Sequence, residues 1–182
     1  MFLTFTNHII ELKEYASHTE MEQSLKQWDL GSIILGEEID IPEQFYAAMI
    51  QPQTAGLHYF GIGICAEGYG LKPHFLLLPQ SNIILFGFNN QVVGINVNQR
   101  EIAFKIKLNS LFYYFLQILE KQIILIVQEL DIVAINEHGK ELWRYGKDVS
   151  TDTCLNGENI QLNFMNESRA CLNILSGDLV EI

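Results

Sequence analysis

The feature that most constrains this chain is a repeat in its second half. The segment IILFGFNNQVVGINVNQREIAFKIK, which begins at Ile83, aligns without a gap with IILIVQELDIVAINEHGKELWRYGK, which begins at Ile123. A weaker third copy starts at Ile160, at a slightly shorter spacing. Similarity at a fixed period of about 40 residues indicates that one supersecondary unit recurs along the chain.

Each copy places β-rich apolar runs between polar turns at matching offsets. The clearest turns are Asn89-Asn90 and His138-Gly139-Lys140, whose Asn and Gly residues tolerate a positive φ. Because the turns match as well as the apolar runs, we expect residues 83–107 and 123–147 to form two similar three-stranded antiparallel units.

The second copy resembles a blade of a β-propeller of the quinoprotein kind. The repeats of that family run through a strand, Ala-x-Asp/Asn, a turn with Gly-Lys and then Leu-Trp. The matching residues here are Ala134-Ile135-Asn136, Gly139-Lys140 and Leu142-Trp143. The resemblance implies that Trp143 packs between neighbouring blades and that no catalytic residue is carried over from the family.

The resemblance extends over residues 83–182, but the first copy departs from the family pattern. Gln99 stands where the glycine belongs and Ala103 where the tryptophan belongs. Closed propellers contain four or more blades. Since the first eighty residues hold no matching copy, we expect the β-meander units not to close a full propeller.

The first third of the chain predicts one or two short helices. Ser17 with Glu20, and Thr19 with Glu22, both fit a capping box, in which a hydroxyl and a carboxylate satisfy the free amides of a helix start. A helix is therefore expected from about Thr19 to Trp28. A second is expected after Pro42, a residue type favoured in the first turn, with Phe45, Tyr46 and Met49 facing the core.

From Leu57 onward the pattern is typical of strands, which are predicted at 57–65, 74–78, 83–88, 91–97, 101–107 and 111–118 before the second copy. Strands are also expected at Phe2–Thr6 and Ser32–Leu35, and a loop at residues 152–157. The run LFYYFLQIL suits a strand or a buried helix, and its aromatic residues favour the strand.

The chain is therefore predicted as α+β and predominantly antiparallel β. We expect a single domain, residues 1–182, with a helix-containing part at 1–56 and a β-rich part at 57–182.

The composition excludes several classes of protein. Hydrophobic residues make up 48% of the chain and charged residues 18%, which excludes a disordered polymer. The net charge of −11 repels phosphate backbones and anionic membranes, so we expect neither nucleic acid nor membrane as a partner. Ten acidic and three basic residues lie in residues 1–80. Solubility explains this acidity, and attraction of a basic protein partner is the alternative.

Three cysteines without paired spacing, Cys65, Cys154 and Cys171, are typical of a reducing compartment. The N-terminal residues lack the basic start and cleavage site of a secretory signal. The longest apolar run, residues 111–119, is too short to span a bilayer. We therefore expect a cytoplasmic protein.

No catalytic motif stands out. The glycines at Gly61, Gly63, Gly68 and Gly70 do not match the spacing of a nucleotide-binding loop, and Gly61 and Gly63 share one strand face, which indicates close packing. The potential metal ligands His58, Cys65, Glu67 and His74 lack the tight local spacing of a metal site. Neither a metal nor a cofactor is predicted.

Two short segments are candidate binding sites. Trp143-Arg144-Tyr145 combines residue types enriched at binding hot spots, although a buried tryptophan with a bonded indole N–H explains it as well. The loop from Glu67 to Pro73, followed by His74, exposes Tyr69 between glycines. We expect a non-enzymatic protein-interaction or accessory domain. The alternative is a small enzyme or ligand-binding protein with a pocket near His58, Glu67 and His74.

Overall fold

The computed structural model describes residues 2–5, 8–52, 58–69 and 71–181. The chain divides into two compact units, Met1–Leu71 with Gln99–Glu101 and Lys72–Asn98 with Ile102–Ile182. The expectation of a single domain stays a prediction.

The first unit contains one sheet, sheet A, and one helix. Its elements are β1 Phe2–Phe5, β2 His8–Tyr15, α1 His18–Leu25, β3 Ser32–Leu35, β4 Gln44–Pro52 and β5 Phe60–Ala66. The strand order is β1-β2-β4-β5-β3. The three pairings β1–β2, β2–β4 and β4–β5 are antiparallel, and β3 runs parallel to β5.

Helix α1 begins at the predicted capping box. The Ser17 Oγ accepts a hydrogen bond from the Glu20 backbone N–H at 3.3 Å, and the Glu20 Oε2 accepts one from the Ala16 N–H at 3.3 Å. Met21 and Leu25 are buried and form the apolar face of the helix. The helix ends at Leu25, three residues before the predicted end.

Gly61 and Gly63 form the bare surface of β5 on which α1 packs. A β-carbon on Gly61 would collide with the Trp28 ring, and one on Gly63 would lie 2.8 Å from the Leu25 Cδ1. The prediction of close packing at these glycines is confirmed, because any side chain there would displace the helix.

The predicted helix after Pro42 is wrong, because residues 44–52 form β4. This strand lies between β2 and β5 and pairs with both along most of its length. Helical spacing of Phe45, Tyr46 and Met49 is a weak local preference, and tertiary pairing on two sides overrides it.

The second unit contains three sheets built from consecutive strands. Sheet B consists of β6 His74–Leu78, β7 Ile83–Phe88, β8 Gln91–Asn96 and β9 Glu101–Lys107. Sheet C consists of β10 Phe112–Ile118, β11 Ile123–Gln128, β12 Asp131–Ile135 and β13 Glu141–Gly146, with a 3-10 turn at Leu119–Lys121. Sheet D consists of β14 Ser150–Asn156, β15 Asn159–Phe164 and β16 Arg169–Asn173. In each sheet the spatial order equals the chain order.

The predicted repeat is confirmed by β7–β9 and β11–β13, whose strands begin 40 residues apart, at Ile83 and Ile123, for example. The strand interpretation of residues 111–118 is also confirmed.

The predicted loop at residues 152–157 is wrong, because Ser150–Asn156 pairs with β15 and the chain turns later, at Gly157 with φ 59°. The β-branched residues Thr151 and Thr153 suit this strand.

One asparagine shapes the equivalent turn after the third strand of each sheet. The Oδ1 atoms of Asn96, Asn136 and Asn173 accept hydrogen bonds from the backbone N–H two residues later, at 3.0, 3.0 and 2.9 Å. An Asn side chain that bonds its own backbone in this way fixes a tight turn. The shared asparagine confirms the alignment of all three copies.

Sheet C is apolar on both faces because it lies between the other two sheets. Ile124 and Ile126 belong to the core shared with sheet B, and Leu125 and Val127 to the core shared with sheet D. Alternating residues of one strand point to opposite faces. This explains why β11 is a continuous apolar run rather than an alternating pattern.

Sheet D has only one apolar face. Along β15, Ile160, Leu162 and Phe164 are buried in the core shared with sheet C. Gln161 and Asn163 alternate with them and therefore point to the opposite face.

An aromatic residue on the fourth strand of one sheet covers a turn glycine of the next. The Trp143 indole of β13 lies against Gly177, after β16, and the Phe104 ring of β9 lies against Gly139, after β12. Both glycines have a positive φ, 74° and 77°. These contacts join the three sheets in series. The described part of this unit contains three sheets, whereas the smallest closed propellers contain four blades. The prediction of units that do not close a full propeller is confirmed.

Candidate functional site

A cleft of about 260 Å³ opens where turns of sheets B and C meet. Its residues come from the β6–β7 turn, the end of β10, the following 3-10 turn, the start of β11 and the β12–β13 turn. They are Pro79, Gln80, Gln117, Leu119, Gln122, Ile123, Ile124 and Glu137. The cleft therefore depends on three separate chain segments, 79–80, 117–124 and Glu137, and lies wholly within the second unit.

Local geometry fixes the position of Glu137. The Asn136 side chain accepts hydrogen bonds from the N–H groups of His138 and Lys140, both at 3.0 Å, and so holds the turn that carries Glu137. On the opposite wall Gln122 adopts a left-handed conformation with φ 54°, and its N–H donates to the Leu119 carbonyl at 3.2 Å. Both walls are thus held by hydrogen bonds that the backbone N–H groups donate.

The lining provides hydrogen-bond acceptors for a cation. Glu137 is the single charged residue among the lining residues, and the amides of Gln80, Gln117 and Gln122 supply carbonyl oxygens. No ion pair joins Glu137 to another described residue. The nearby cation Lys121 is used elsewhere, since its Nζ lies 3.2 Å from the Glu158 Oε1.

The size of the cleft limits what it can bind. Pockets for drug-sized ligands and cofactors span roughly 300–1,000 Å³, and this cleft is smaller. Apolar walls at Ile123 and Ile124 suit the methylene stem of a lysine or arginine, whose charged end would reach Glu137. The arrangement fits one inserted basic side chain better than a cofactor.

A buried polar network lies at the opposite end of β11, around the hairpin that joins β11 to β12. The Gln128 Oε1 accepts hydrogen bonds from the backbone N–H groups of Asn109 and Ser110, at 3.1 and 3.4 Å. The Asn109 side chain donates to the Asp131 Oδ2 at 3.1 Å. These bonds fasten the loop before β10 to the hairpin, which is a structural role.

Arg144 belongs to the same network. Its Nη1 lies 2.6 Å from the Asp131 Oδ2, and its Nη2 lies 2.9 Å from the Glu141 Oε2. Hydrogen bonds to Glu141 and then to Asp131 raise the pKa of Arg144 above its usual value. Asp131 is only 7% exposed, so loss of Arg144 would leave a buried carboxylate without its counter-ion. The Arg144 guanidinium is therefore already occupied within the chain.

Trp143 is buried, as predicted, with 8% of its surface exposed. Its Nε1 donates a hydrogen bond to the Ile174 carbonyl at 2.8 Å. The residue packs between sheets C and D, which agrees with the place that the propeller resemblance implies. Tyr145 is half-buried against the same core. Binding of a partner by Trp143, Arg144 and Tyr145 stays a prediction.

The residues of the alternative pocket each have a different neighbour. The His58 Nδ1 bonds to the Asp29 carboxylate, and Glu67 bonds to the Tyr69 hydroxyl and raises the pKa of that phenol. The His74 ring meets the Phe112 ring edge-on, with centroids 6.1 Å apart. Binding at Glu67, Tyr69 and His74, and a pocket that includes His58, stay predictions.

Within the described ranges, no three side chains of the types His, Cys, Asp and Glu converge as they would around a metal ion. No helix in the same ranges has the length and apolar character to cross a bilayer.

Sequence reasoning did not find the cleft, because its residues lie in three segments that are separated in sequence. A signal was present in Gln117 near the end of β10, Gln122 just before β11 and Glu137 in the β12–β13 turn. Amides and a carboxylate at strand ends are ordinary turn residues, so only the folded sheets distinguish them.

Comparison with solved structures identifies the architecture. Sqt1 from Saccharomyces cerevisiae matches with a TM-score of 0.51 and 12% identity, over 76% of this chain and 43% of that structure. The β-propeller domain of Cps50 (Swd1) from Myceliophteria thermophila matches with a TM-score of 0.50 and 12% identity, over 75% and 54%. The fold is that of β-propeller blades.

The likeness concerns the fold alone, since the identities are low. The chain spans about half the length of these propeller structures or less. No protein-family model matches the sequence, and no curated protein matches it.

Proposed function

We propose that this chain is a non-enzymatic protein-interaction domain that binds a basic protein partner. The cleft at the ends of sheets B and C receives a lysine or arginine side chain of the partner, and Glu137 is its counter-ion. The observation that carries the proposal is the pairing of a single carboxylate with amide oxygens and apolar walls in a cleft of side-chain size.

The distribution of charge supports the proposal. In the first unit the exposed residues Glu37, Glu38, Asp40 and Glu43 follow one another without an intervening base. Together with the net charge of −11, they create a negative field that attracts basic proteins and accelerates their encounter. The field acts at long range, while the cleft provides the specific contact.

Absence of enzymatic activity and a cytoplasmic location are part of the proposal. The three cysteines are free, as expected for a reducing compartment.

The test compares peptides of alternating glycine and arginine with peptides of alternating glycine and glutamate, by calorimetry at low and high salt. We expect the arginine peptide to bind, to lose affinity with salt, and to weaken roughly tenfold with the variant Glu137→Gln. Glu167→Gln is the matched control, because it removes an exposed carboxylate from the β15–β16 turn. Equal affinities of the two variants, or binding of the glutamate peptide, would contradict the proposal.

A further inference from the structure

We infer that the basic partner docks as an added β-strand along β10, residues Phe112–Ile118, and that this places its basic side chain in the Glu137 cleft. The inference rests on the proposed function and specifies how the partner is held. Such strand addition supplies affinity through main-chain hydrogen bonds and specificity through alternate side chains.

Strand β10 has a free edge. It pairs with β11 on one side and is the outermost strand of sheet C. Among the described residues, no other segment hydrogen-bonds to the backbone of residues 113–118. A row of unpaired N–H and C=O groups is a template for another strand.

The composition of β10 differs from that of β9 and β13, the last strands of sheets B and C, whereas β6, the first edge strand of sheet B, also lacks Lys, Arg, Asp and Glu. At the opposite edges, β9 carries Lys105 and Lys107, and β13 carries Glu141 and Arg144. Charged side chains of this kind discourage strand addition. Strand β10, with the sequence FYYFLQI, has no charge at all.

The side chains of β10 provide an apolar surface beside its backbone. Tyr113, Tyr114, Phe115 and Leu116 are all half-buried, each packed against one of the two cores and open to solvent on its other side. Aromatic residues that stay partly exposed on a rigid support are enriched at protein interfaces.

The strand and the cleft are continuous. Gln117 belongs to β10 and also lines the cleft, and Leu119, which is 72% exposed, follows at its rim. A seven-residue strand is about 23 Å long, so a paired segment would extend over the aromatic residues and deliver one side chain beside Glu137.

The acidic residues near β10 favour a basic partner protein over a second copy of this chain. Glu137 lies at one end of β10, and Glu129 lies beside Tyr113 at the other, where burial and the Glu129 charge raise the pKa of the phenol. An extended segment with basic residues complements both carboxylates. A second copy carries the same net charge of −11 and is repelled.

The experiment uses the full chain and a peptide of alternating valine and arginine, together with the same peptide N-methylated at alternate backbone amides. N-methylation keeps the charge but removes hydrogen-bond donors. We expect the unmodified peptide to slow hydrogen exchange of residues 113–118 and to bind roughly tenfold or more tightly than the N-methylated peptide. A peptide of alternating valine and glutamate serves as the charge control.

The outcomes separate this inference from the proposed function. If the N-methylated peptide binds as well as the unmodified one, and Glu137→Gln weakens both, strand addition is wrong and the cleft stands. If the valine–arginine peptide binds in neither its unmodified nor its N-methylated form, and the glycine–arginine peptide does not bind either, both this inference and the proposed function are wrong. Equal binding of the valine–glutamate peptide, or protection of β10 through self-association without peptide, also overturns the inference.

Discussion

The Phe104 ring lies against the α-carbon of Gly139, as the Trp143 indole lies against that of Gly177 one sheet later. In both cases an aromatic residue of a fourth strand occupies the space that a side chain at the turn would need. The same kind of aromatic–glycine contact therefore joins sheet B to sheet C and sheet C to sheet D.

Trp143→Ala is expected to cost about 3–5 kcal/mol of unfolding free energy, because it removes a buried indole and leaves a cavity. A typical domain has a total of only about 5–15 kcal/mol. Thermal and urea unfolding provide the measurement. Trp143→Phe is the control, since it retains most of the packing and loses the hydrogen bond to Ile174. An unchanged melting temperature of Trp143→Ala would refute its structural role.

Phe104→Ala is expected to destabilise the chain by about 2–3 kcal/mol, below the cost for a fully buried phenylalanine because Phe104 is half-buried. The control is Ala103→Ser at the neighbouring exposed position, which should change stability by no more than about 0.5 kcal/mol. Urea unfolding of both variants measures the two changes in unfolding free energy. A larger loss for Ala103→Ser than for Phe104→Ala would mean that the aromatic contact is misassigned.

Gly61→Ala is expected to displace α1 and to cost about 1–3 kcal/mol, since the new methyl group overlaps the Trp28 ring. Trp28→Leu should relieve part of that cost. A double-mutant cycle from urea unfolding measures the coupling between the two sites. Purely additive effects would show that the Trp28 ring does not pack against this glycine.

Asp29 gives the chain a pH dependence in the acidic range. The hydrogen bond with His58, followed by one from the Tyr59 N–H, lowers the pKa of Asp29 below its usual value. Its stabilisation is therefore complete above the unfolded pKa of about 3.9 and is lost as the pH falls through the folded pKa. Asp29→Asn should flatten the stability curve below about pH 4, whereas Asp40→Asn on an exposed loop should not. Parallel curves for the parent chain and Asp29→Asn would contradict this assignment.

Cys65 is expected to be the slowest thiol to alkylate. Burial, followed by the charges of Glu37, Glu22 and Glu38, raises its pKa to about 11, so little thiolate exists at mildly alkaline pH. Cys154 is exposed and should react first with iodoacetamide. Mass spectrometry of a time course provides the order of modification. Labelling of Cys65 before Cys154 in the folded chain would disprove the prediction.

The repeat was predictable because its turns and apolar runs share one gapless offset. The role of Phe104 could not be predicted from the sequence, because the alignment pairs Trp143 with Ala103. Strand β13 contains a bulge opposite Ala134 and Ile135, and one extra residue reverses the face to which the following side chains point. The covering aromatic of sheet B, Phe104, lies one position after Ala103 and therefore on the opposite face of the strand.

The candidate site was less predictable than the fold. Strands follow from local patterns, whereas the cleft joins Gln80, Gln117 and Glu137, which approach one another only after two sheets have packed. The same limit explains the error at residues 44–52, where pairing with two distant strands determined the structure against the local helical spacing.

The alternation along β15 has a consequence for the protein in a crowded solution. An array of sheets can recruit further sheets, from the same or another chain, wherever an apolar face is left open. Gln161 and Asn163 turn a hydrated surface outward from sheet D while Ile160 and Leu162 complete the core behind it. Repeat arrays require such a polar end for solubility, so this hydrated face disfavours the stacking of a further sheet on sheet D.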